Sequence, residues 1–311
     1  MRPAPSLLLF TTLSGSGLGL LAWSGVGVLL GRTTALLPPL ALGLALTAAG
    51  LLASLAHLGQ PQRAWRALSQ WRSSWLSREG VLALGLFPTG AGLGWALWTG
   101  SALAPWLAVA LVVLAVATIL CTAMIYACLK TVPAWSQPLV PAGFLGLGLM
   151  GGGLWLSAIG AFQGWRPGVG VLLVAGVVAV ATLVAKLVYW RRLPGLALPA
   201  GVHAALGLHG RADLAGAVAA MDPPHTGASP VTAEMVFVFA RRHAEALRLA
   251  AMLGLFALPA ALAVPALASP TAAPWLLSAA ALCFQAGALC ERWLFFAEAR
   301  HVVARYYPDR D

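Results

Sequence analysis

The sequence predicts an all-α integral membrane protein with eight transmembrane helices. Of its 311 residues, 60% are hydrophobic and only 9% are charged, and the mean hydropathy is +0.85. A water-soluble domain cannot bury so large a share of apolar side chains, whereas a chain that crosses a bilayer repeatedly exposes them to lipid. We therefore expect a single membrane domain that covers residues 1–311.

Eight apolar segments have the length of about 20 residues that a helix needs to cross a bilayer. Glycine and proline inside these segments do not argue against helices, because both are common in membrane helices. The first segment is too long for the apolar region of a signal peptide and is followed by no A-x-A site, so we expect it to remain as a helix. The predicted helices cover residues 6–30, 34–58, 79–99, 105–129, 139–162, 167–190, 247–267 and 273–297.

Basic residues alternate between the connections of these helices. The odd-numbered connections hold only Arg32 and Arg166, whereas the second, fourth and sixth connections and the C-terminal tail hold most of the others. The positive-inside rule then places both termini and the even-numbered connections in the cytoplasm, with the protein in a bacterial inner membrane. Because the net charge of +10 is concentrated at helix ends, we expect contact with lipid and no binding of nucleic acid.

The sixth connection, residues 191–248, is the only long one, and we expect it in the cytoplasm. Its residues 232–248 have the pattern of a basic amphipathic helix, with Thr232 as a possible N-cap. Such a helix could lie on anionic headgroups or provide a docking surface for a soluble partner, and the two roles are compatible.

The second connection, residues 57–79, joins two predicted helices and combines aromatic and basic side chains. Tryptophan and arginine are typical of the region where chain, headgroups and water meet. His57 ends the incoming helix and Glu79 begins the outgoing one. A titratable histidine and a carboxylate at one depth could bind and deprotonate a lipid-soluble acid such as a quinol. The segment holds four arginines and three tryptophans: Arg63, Arg66, Arg72, Arg78, Trp65, Trp71 and Trp75.

Lys186 lies in the sixth predicted helix, and Glu291 and Arg292 lie in the eighth, all near the end that faces the cytoplasm. Glu291 could form a structural ion pair with Lys186 or with Arg292. Alternatively, Glu291 and Lys186 could conduct protons beside a quinone pocket, because ionisable groups in a membrane usually face a cavity or the bundle interior.

We expect no metal site, iron–sulfur cluster or haem on this chain. The cysteines form two pairs with seven-residue spacing, Cys121/Cys128 and Cys283/Cys290, and no C-x-x-C motif is present. A b-type haem would need two histidines at matching depth, and His57 could pair only with a residue such as His301. Interfacial histidines with hydrogen-bond partners are the better interpretation.

Three motifs resemble those of the DmsC-type membrane anchors of complex molybdenum enzymes, and the eight predicted helices follow the same order. A long sixth connection with the sequence PPHTG at 223–227 and the end of the eighth helix at 291–301 are similar to one branch, the anchors of cytoplasmic sulfite dehydrogenases. The motifs are His57-Leu58-Gly59-x-Pro61-x-Arg63-Ala64, Ser74-x-Leu76-Ser77-x-Glu79 and Thr131-Val132-Pro133-x-Trp135.

The resemblance implies a quinone-reactive subunit with ubiquinone or menaquinone as its redox partner. It places His57 in the quinone site with Gly59, Arg63 and Glu79 around it. His57 would bind a quinone carbonyl and exchange a proton, since histidine titrates near neutrality. Glu79, or else Glu291, would relay the proton, and Arg63 would orient the headgroup. Trp65 and Trp71 could wall the pocket, although interfacial anchoring also explains both.

The same resemblance implies two partners on the cytoplasmic side, an iron–sulfur subunit and a molybdopterin catalytic subunit. Electrons would pass from sulfite to quinone in the sulfite branch and from quinol to substrate in a dimethyl sulfoxide reductase. A purely structural anchor and a transporter remain alternatives of other classes. Against a transporter, the sequence has no matched pair of broken helices and no charge at the middle of the bilayer.

Overall fold

The computed structural model describes residues 4–32, 34–56, 58–165, 169–196 and 243–302. These residues form eight helices that are long and apolar enough to cross a membrane, which confirms the predicted fold class. Two helices contain one π-helical turn each, Phe10–Ser14 in the first and Leu253–Ala257 in the seventh. The helices are α1 (Pro5–Leu29), α2 (Leu37–Leu55), α3 (Trp75–Thr99), α4 (Ala104–Ala127), α5 (Leu139–Phe162), α6 (Val169–Arg192), α7 (Ala244–Ala268) and α8 (Ala273–Ala297).

The beginning of α3 differs most from the sequence prediction. The helix begins at Trp75 because the hydroxyl oxygen of Ser74 accepts a hydrogen bond from the backbone N–H of Ser77 at 3.4 Å, an N-cap. Glu79 therefore lies one turn inside the helix. Hydropathy alone predicted that this helix begins at residue 79, because the polar first turn of α3 has the composition of a connection.

The sixth connection is described only at its two ends. A short 3₁₀ turn, Leu193–Gly195, follows α6, and residues 244–248 form the first turn of α7. The remainder of the predicted amphipathic helix, up to Arg242, lies outside the described residues, as does the PPHTG stretch. The described residues of the predicted amphipathic helix, 244–248, thus belong to the spanning helix α7.

Helix α1 occupies the centre of the bundle and packs against α2, α4 and α5. Glycines make the contact with α5 possible: a Cβ atom on Gly19 would collide with the carbonyl of Gly148, and one on Gly152 would collide with the backbone of Gly19. Backbones that touch through small residues are a common form of helix packing in membranes. The indole N–H of Trp23 adds a hydrogen bond to the carbonyl oxygen of Leu149 at 2.9 Å.

The other helices surround this centre. Helix α3 packs on α4, α8 packs on both α5 and α7, and α6 packs mainly on α5. The outer face of α6 exposes a row of valines, Val174, Val177, Val180 and Val184. An apolar face of this kind is stable only in contact with lipid, which agrees with a peripheral position for α6.

One end of the bundle gathers the start of α1, the ends of α2, α4, α6 and α8, and the connections that carry the basic residues. The indole N–H of Trp135, between α4 and α5, donates to the carbonyl oxygen of Phe295 at 2.9 Å. The backbone N–H of Val302 donates to Thr131 at 3.0 Å. Tyr126 packs between Trp135 and Phe144. We call this end the basic end.

Candidate functional site

The predicted quinone-binding residues lie on the connection between α2 and α3. His57 is outside the described residues. Gly59 is exposed, and Pro61–Gln70 form a 3₁₀ helix on which Arg63 and Trp65 are exposed. The exposed fraction of Trp65 is 66% and that of Trp71 is 52%, so both indoles are free to contact headgroups.

Polar contacts fix this connection against the first turns of α3. The Ser77 hydroxyl donates to the carbonyl oxygen of Ala67. The guanidinium of Arg78 donates to the carbonyl oxygens of Trp71 at 3.0 Å and Arg72 at 2.7 Å, and it lies 4.3 Å from the ring of Trp75. Arg78 therefore holds the end of the connection in place, a role that sequence reasoning did not assign to it.

Glu79 is buried between α3 and α4, with an exposed fraction of 3%. The Thr122 hydroxyl on α4 donates a hydrogen bond to its carboxylate oxygen Oε1. Thr122 also lies 3.0 Å from the carbonyl oxygen of Thr118, so its one hydrogen has two possible acceptors. When Glu79 is ionised the hydrogen is directed to the carboxylate, and when Glu79 is protonated it can turn to Thr118. The pair can therefore adapt to either protonation state of Glu79.

The structure places these predicted residues at the same end of the bundle but in different surroundings. Glu79 faces the interior of the bundle, whereas Arg63, Trp65 and Trp71 are exposed. Sequence reasoning missed Thr122, because no local pattern distinguishes it from the other hydroxyl residues of α4.

Lys186, Glu291 and Arg292 form a buried ionic cluster at the basic end. Lys186 binds carboxylate oxygen Oε1 of Glu291, and Nε of Arg292 lies 2.5 Å from Oε2. The predicted ion pair is confirmed, and Glu291 pairs with both cations instead of one. Buried charges are tolerated when each is paired and hydrogen-bonded.

Aromatic rings surround the two cations of this cluster. The Lys186 ammonium lies 4.5 Å from the ring centre of Tyr189, and the Arg292 guanidinium lies 4.1 Å from that of Phe144. The electron-rich faces of these rings help to offset the loss of hydration of the two cations. The cluster carries one net positive charge, from two cations and one carboxylate.

A second ion pair ties α7 to the end of α8. The guanidinium of Arg248 lies 2.5 Å from the carboxylate of Glu298. Burial raises the pKa of the Glu298 carboxyl above its ordinary value, and the neighbouring Arg248 guanidinium opposes that shift. This pair was not predicted, because Arg248 was assigned to a surface helix.

An apolar cavity of about 800 Å³ lies among α5, α6, α7 and α8, in the half of the bundle away from the basic end. Trp165, Leu183 and Phe256 are among its lining residues, and none of the described lining residues is ionisable. This described lining can hold hydrocarbon but offers no acid or base for proton transfer. Among the described residues, no cluster of three or more histidine, cysteine, aspartate or glutamate side chains could hold a metal ion.

Comparisons with known proteins agree with the motifs. The family model described as DMSO reductase anchor subunit (DmsC) matches residues 2–297. A sulfite dehydrogenase subunit of Allochromatium vinosum is 34% identical to this protein, over 99% of each sequence. A subunit of the anaerobic dimethyl sulfoxide reductase of Escherichia coli is also 34% identical, over 42% of this sequence and 50% of its own. No solved structure matches the protein.

Proposed function

This chain belongs to the DMSO reductase anchor subunit (DmsC) family, and we propose that it is the quinone-reactive subunit of a molybdopterin- and iron–sulfur-containing oxidoreductase. It is a multi-pass membrane protein, and its relatives are named as subunits of oxidoreductases. It would anchor the complex and pass electrons between the quinone pool and the iron–sulfur subunit, with ubiquinone or menaquinone as the carrier.

The observation that carries this proposal is the position of Glu79. A carboxylate is costly to bury in a membrane helix and usually marks a path for protons or ions. Glu79 is buried one turn inside α3, beneath the connection that holds the motif from His57 to Ala64, and Thr122 binds it. Quinone reduction needs protons as well as electrons, so a buried carboxylate beside this motif suits the chemistry.

The remaining predicted residues take roles that follow from their chemistry. His57 binds a quinone carbonyl and exchanges a proton with it, and Arg63 orients the headgroup by charge. Gly59 allows the backbone to approach closely. Trp65 and Trp71, both exposed, anchor the connection at the headgroup level and form the outer wall of the site. Glu291 with Lys186 is the second candidate for proton transfer.

The basic end of the bundle is the surface that we assign to the partner subunits. Exposed arginines are concentrated there, and they would attract an acidic surface of an iron–sulfur subunit. The molybdopterin subunit would bind beyond it, with both partners and both termini in the cytoplasm of a bacterium. The described, exposed arginines at this end are Arg63, Arg66, Arg72, Arg191, Arg192 and Arg300.

The direction that we favour is oxidation of sulfite with reduction of quinone. The similarity to the sulfite dehydrogenase protein extends over 99% of both sequences, whereas that to the dimethyl sulfoxide reductase protein extends over 42% of this one. The reverse direction, in which quinol reduces a dimethyl sulfoxide-type substrate, is the second candidate, and assays with both substrates distinguish the two.

The test uses the whole complex in its native membranes. Quinone-linked turnover and turnover with a soluble dye, which bypasses the membrane, are measured for His57→Ala, Glu79→Gln and the control Trp71→Phe. Loss of the proton-exchanging groups should lower the quinone-linked rate by about 10²–10⁴-fold, with dye-linked turnover intact. The loss in Trp71→Phe should be far smaller, because phenylalanine keeps an aromatic ring at the boundary. Normal quinone-linked turnover in both His57→Ala and Glu79→Gln would contradict the proposed site.

A further inference from the structure

A small cavity lies near the basic end of the bundle, and one of its lining residues is Thr122, the hydrogen-bond partner of Glu79. Its volume of about 20 Å³ is enough for one ordered water, which needs roughly 10–15 Å³ and two to four polar partners. It lies among α1, α4, α5 and α8. The polar residues that line it are Thr11, Thr12, Ser14, Ser16, Thr122 and Arg292.

The π-helical turn of α1 gives the cavity its polar wall. The hydroxyls of Thr11, Thr12 and Ser14 donate to carbonyl oxygens one turn earlier in the helix, at 2.9, 2.7 and 2.5 Å. Each hydroxyl oxygen keeps a lone pair with which it can accept a hydrogen bond from a water. Single π-helical turns inside α-helices are frequent at functional sites, and here the turn sets three hydroxyls beside the cavity.

Two polar side chains with ionic partners are among the residues that line this space. Thr122, which binds the Glu79 carboxylate, lines one side. Arg292, which is paired with Glu291 and is 4% exposed, lines another. A water between them can donate to Thr122 while its oxygen faces the guanidinium, so the cavity offers this water a defined orientation.

The cavity lies more than one turn inside the bundle, where Thr122 contacts Glu79. Thr11 lies six residues from Pro5, the first residue of α1, which corresponds to about 9 Å along the helix axis. A water in the cavity can therefore exchange a proton with the Thr122–Glu79 pair inside the bundle.

We propose that this cavity holds a water that returns protons to Glu79 through the Thr122 hydroxyl, with Arg292 as a positioning residue that orients the water. The inference rests on the proposed quinone reduction. Each turnover takes two electrons from the iron–sulfur partner and two protons from the cytoplasmic side to form one quinol. Glu79 gives one of these protons. Thr122 then passes its hydroxyl proton to Glu79 and takes one from the cavity water, and a proton that enters from the cytoplasmic side converts the resulting hydroxide back to water.

The test compares two threonines of α4 in the assembled complex. Thr122→Val removes the hydroxyl but keeps the shape of the side chain, and Thr122→Ser keeps the hydroxyl. Thr118→Val is the matched control, because Thr118 is also buried on α4, donates to Leu114 at 2.7 Å and does not line the cavity. Ser14→Val fills the cavity from α1 without touching Glu79 or Thr122.

We expect Thr122→Val and Ser14→Val to lower quinone-linked kcat by about 10²-fold or more, with quinone KM and dye-linked turnover unchanged. Both variants should enlarge the solvent isotope effect, because proton return becomes rate-limiting, and Thr122→Ser and Thr118→Val should be close to wild type. Dye-linked turnover reports whether each variant assembles. If Thr122→Val fails to assemble, Ser14→Val still tests whether a water in the cavity is required.

Three outcomes overturn the relay. One is a normal kcat and isotope effect in assembled Thr122→Val, another is a normal kcat in assembled Ser14→Val, and a third is a raised quinone KM in place of a lowered kcat. Glu79→Gln separates this inference from the proposed function: if it is inactive while Thr122→Val is normal, the quinone site stands and the relay is wrong. If Glu79→Gln is fully active, the assignment of Glu79 itself fails.

Discussion

Lys186 on α6 and Glu291 on α8 form an ion pair inside the bundle, although 105 residues separate them in the sequence. Helix α6 otherwise packs mainly on α5 and exposes an apolar face. The hydrophobic effect gives no preference for protein over lipid within a bilayer, so specific polar contacts matter for the docking of a peripheral helix. The pair therefore joins α6 to a helix with which it shares little other contact.

Replacing Lys186 should destabilise the anchor. Lys186→Met removes one hydrogen bond between charged groups, which contributes about 1.5–3 kcal/mol, and leaves Glu291 paired with Arg292. We expect the thermal unfolding midpoint in detergent to fall by about 3–6 °C. Leu187→Met, at the neighbouring lipid-facing position, is the control. Equal midpoints for the two variants would show that the pair contributes no stability.

The contact of α1 with α5 should tolerate no side chain at Gly19. A Cβ atom at this position meets the backbone of Gly148 at a distance that no rotamer can relieve, and overpacking of this kind costs at least about 1–3 kcal/mol. Gly19→Val should therefore reduce the amount of folded anchor in the membrane. The control is Gly176→Ala on α6, where no atom lies within 4 Å. Wild-type levels of Gly19→Val in a membrane immunoblot would contradict the packing.

Arg78 should control the order of the connection between α2 and α3. Arg78→Ala removes the donors to the carbonyl oxygens of Trp71 and Arg72, so the preceding connection should open more often. Chymotrypsin, which cleaves after aromatic residues, should cut at Trp65 or Trp71 severalfold faster in membranes. Arg66→Ala removes an exposed arginine of the same connection and is the control. Unchanged cleavage would mean that other contacts hold the connection.

The predicted orientation can be measured directly. Because basic residues are concentrated in the even-numbered connections, reporter fusions after Arg192 and after Asp311 should both report a cytoplasmic location. A fusion in the connection between α3 and α4, after Gly100, should report the opposite side. A periplasmic signal from either of the first two fusions would overturn the topology.

The sequence predicted all eight helices because a transmembrane helix is recognisable from the length of its apolar run. It also gave an ion pair of Glu291 as one of two alternatives, since an unpaired carboxylate is costly at that depth. It did not predict the contact of Thr122 with Glu79, because that contact depends on how α3 and α4 are rotated about their axes. Both helices are apolar on nearly every face, so hydrophobic periodicity does not specify the rotation.

The central position of α1 has a consequence for biosynthesis. The glycines of α1 pack against α5, where Gly19 contacts the backbone of Gly148, and α5 is translated roughly one hundred residues after α1. Until α5 is inserted, the backbone of α1 at Gly19 lacks this partner and faces lipid or an insertase. Insertion of this anchor therefore requires that the first helix be held, or remain loosely associated, until its fifth helix arrives.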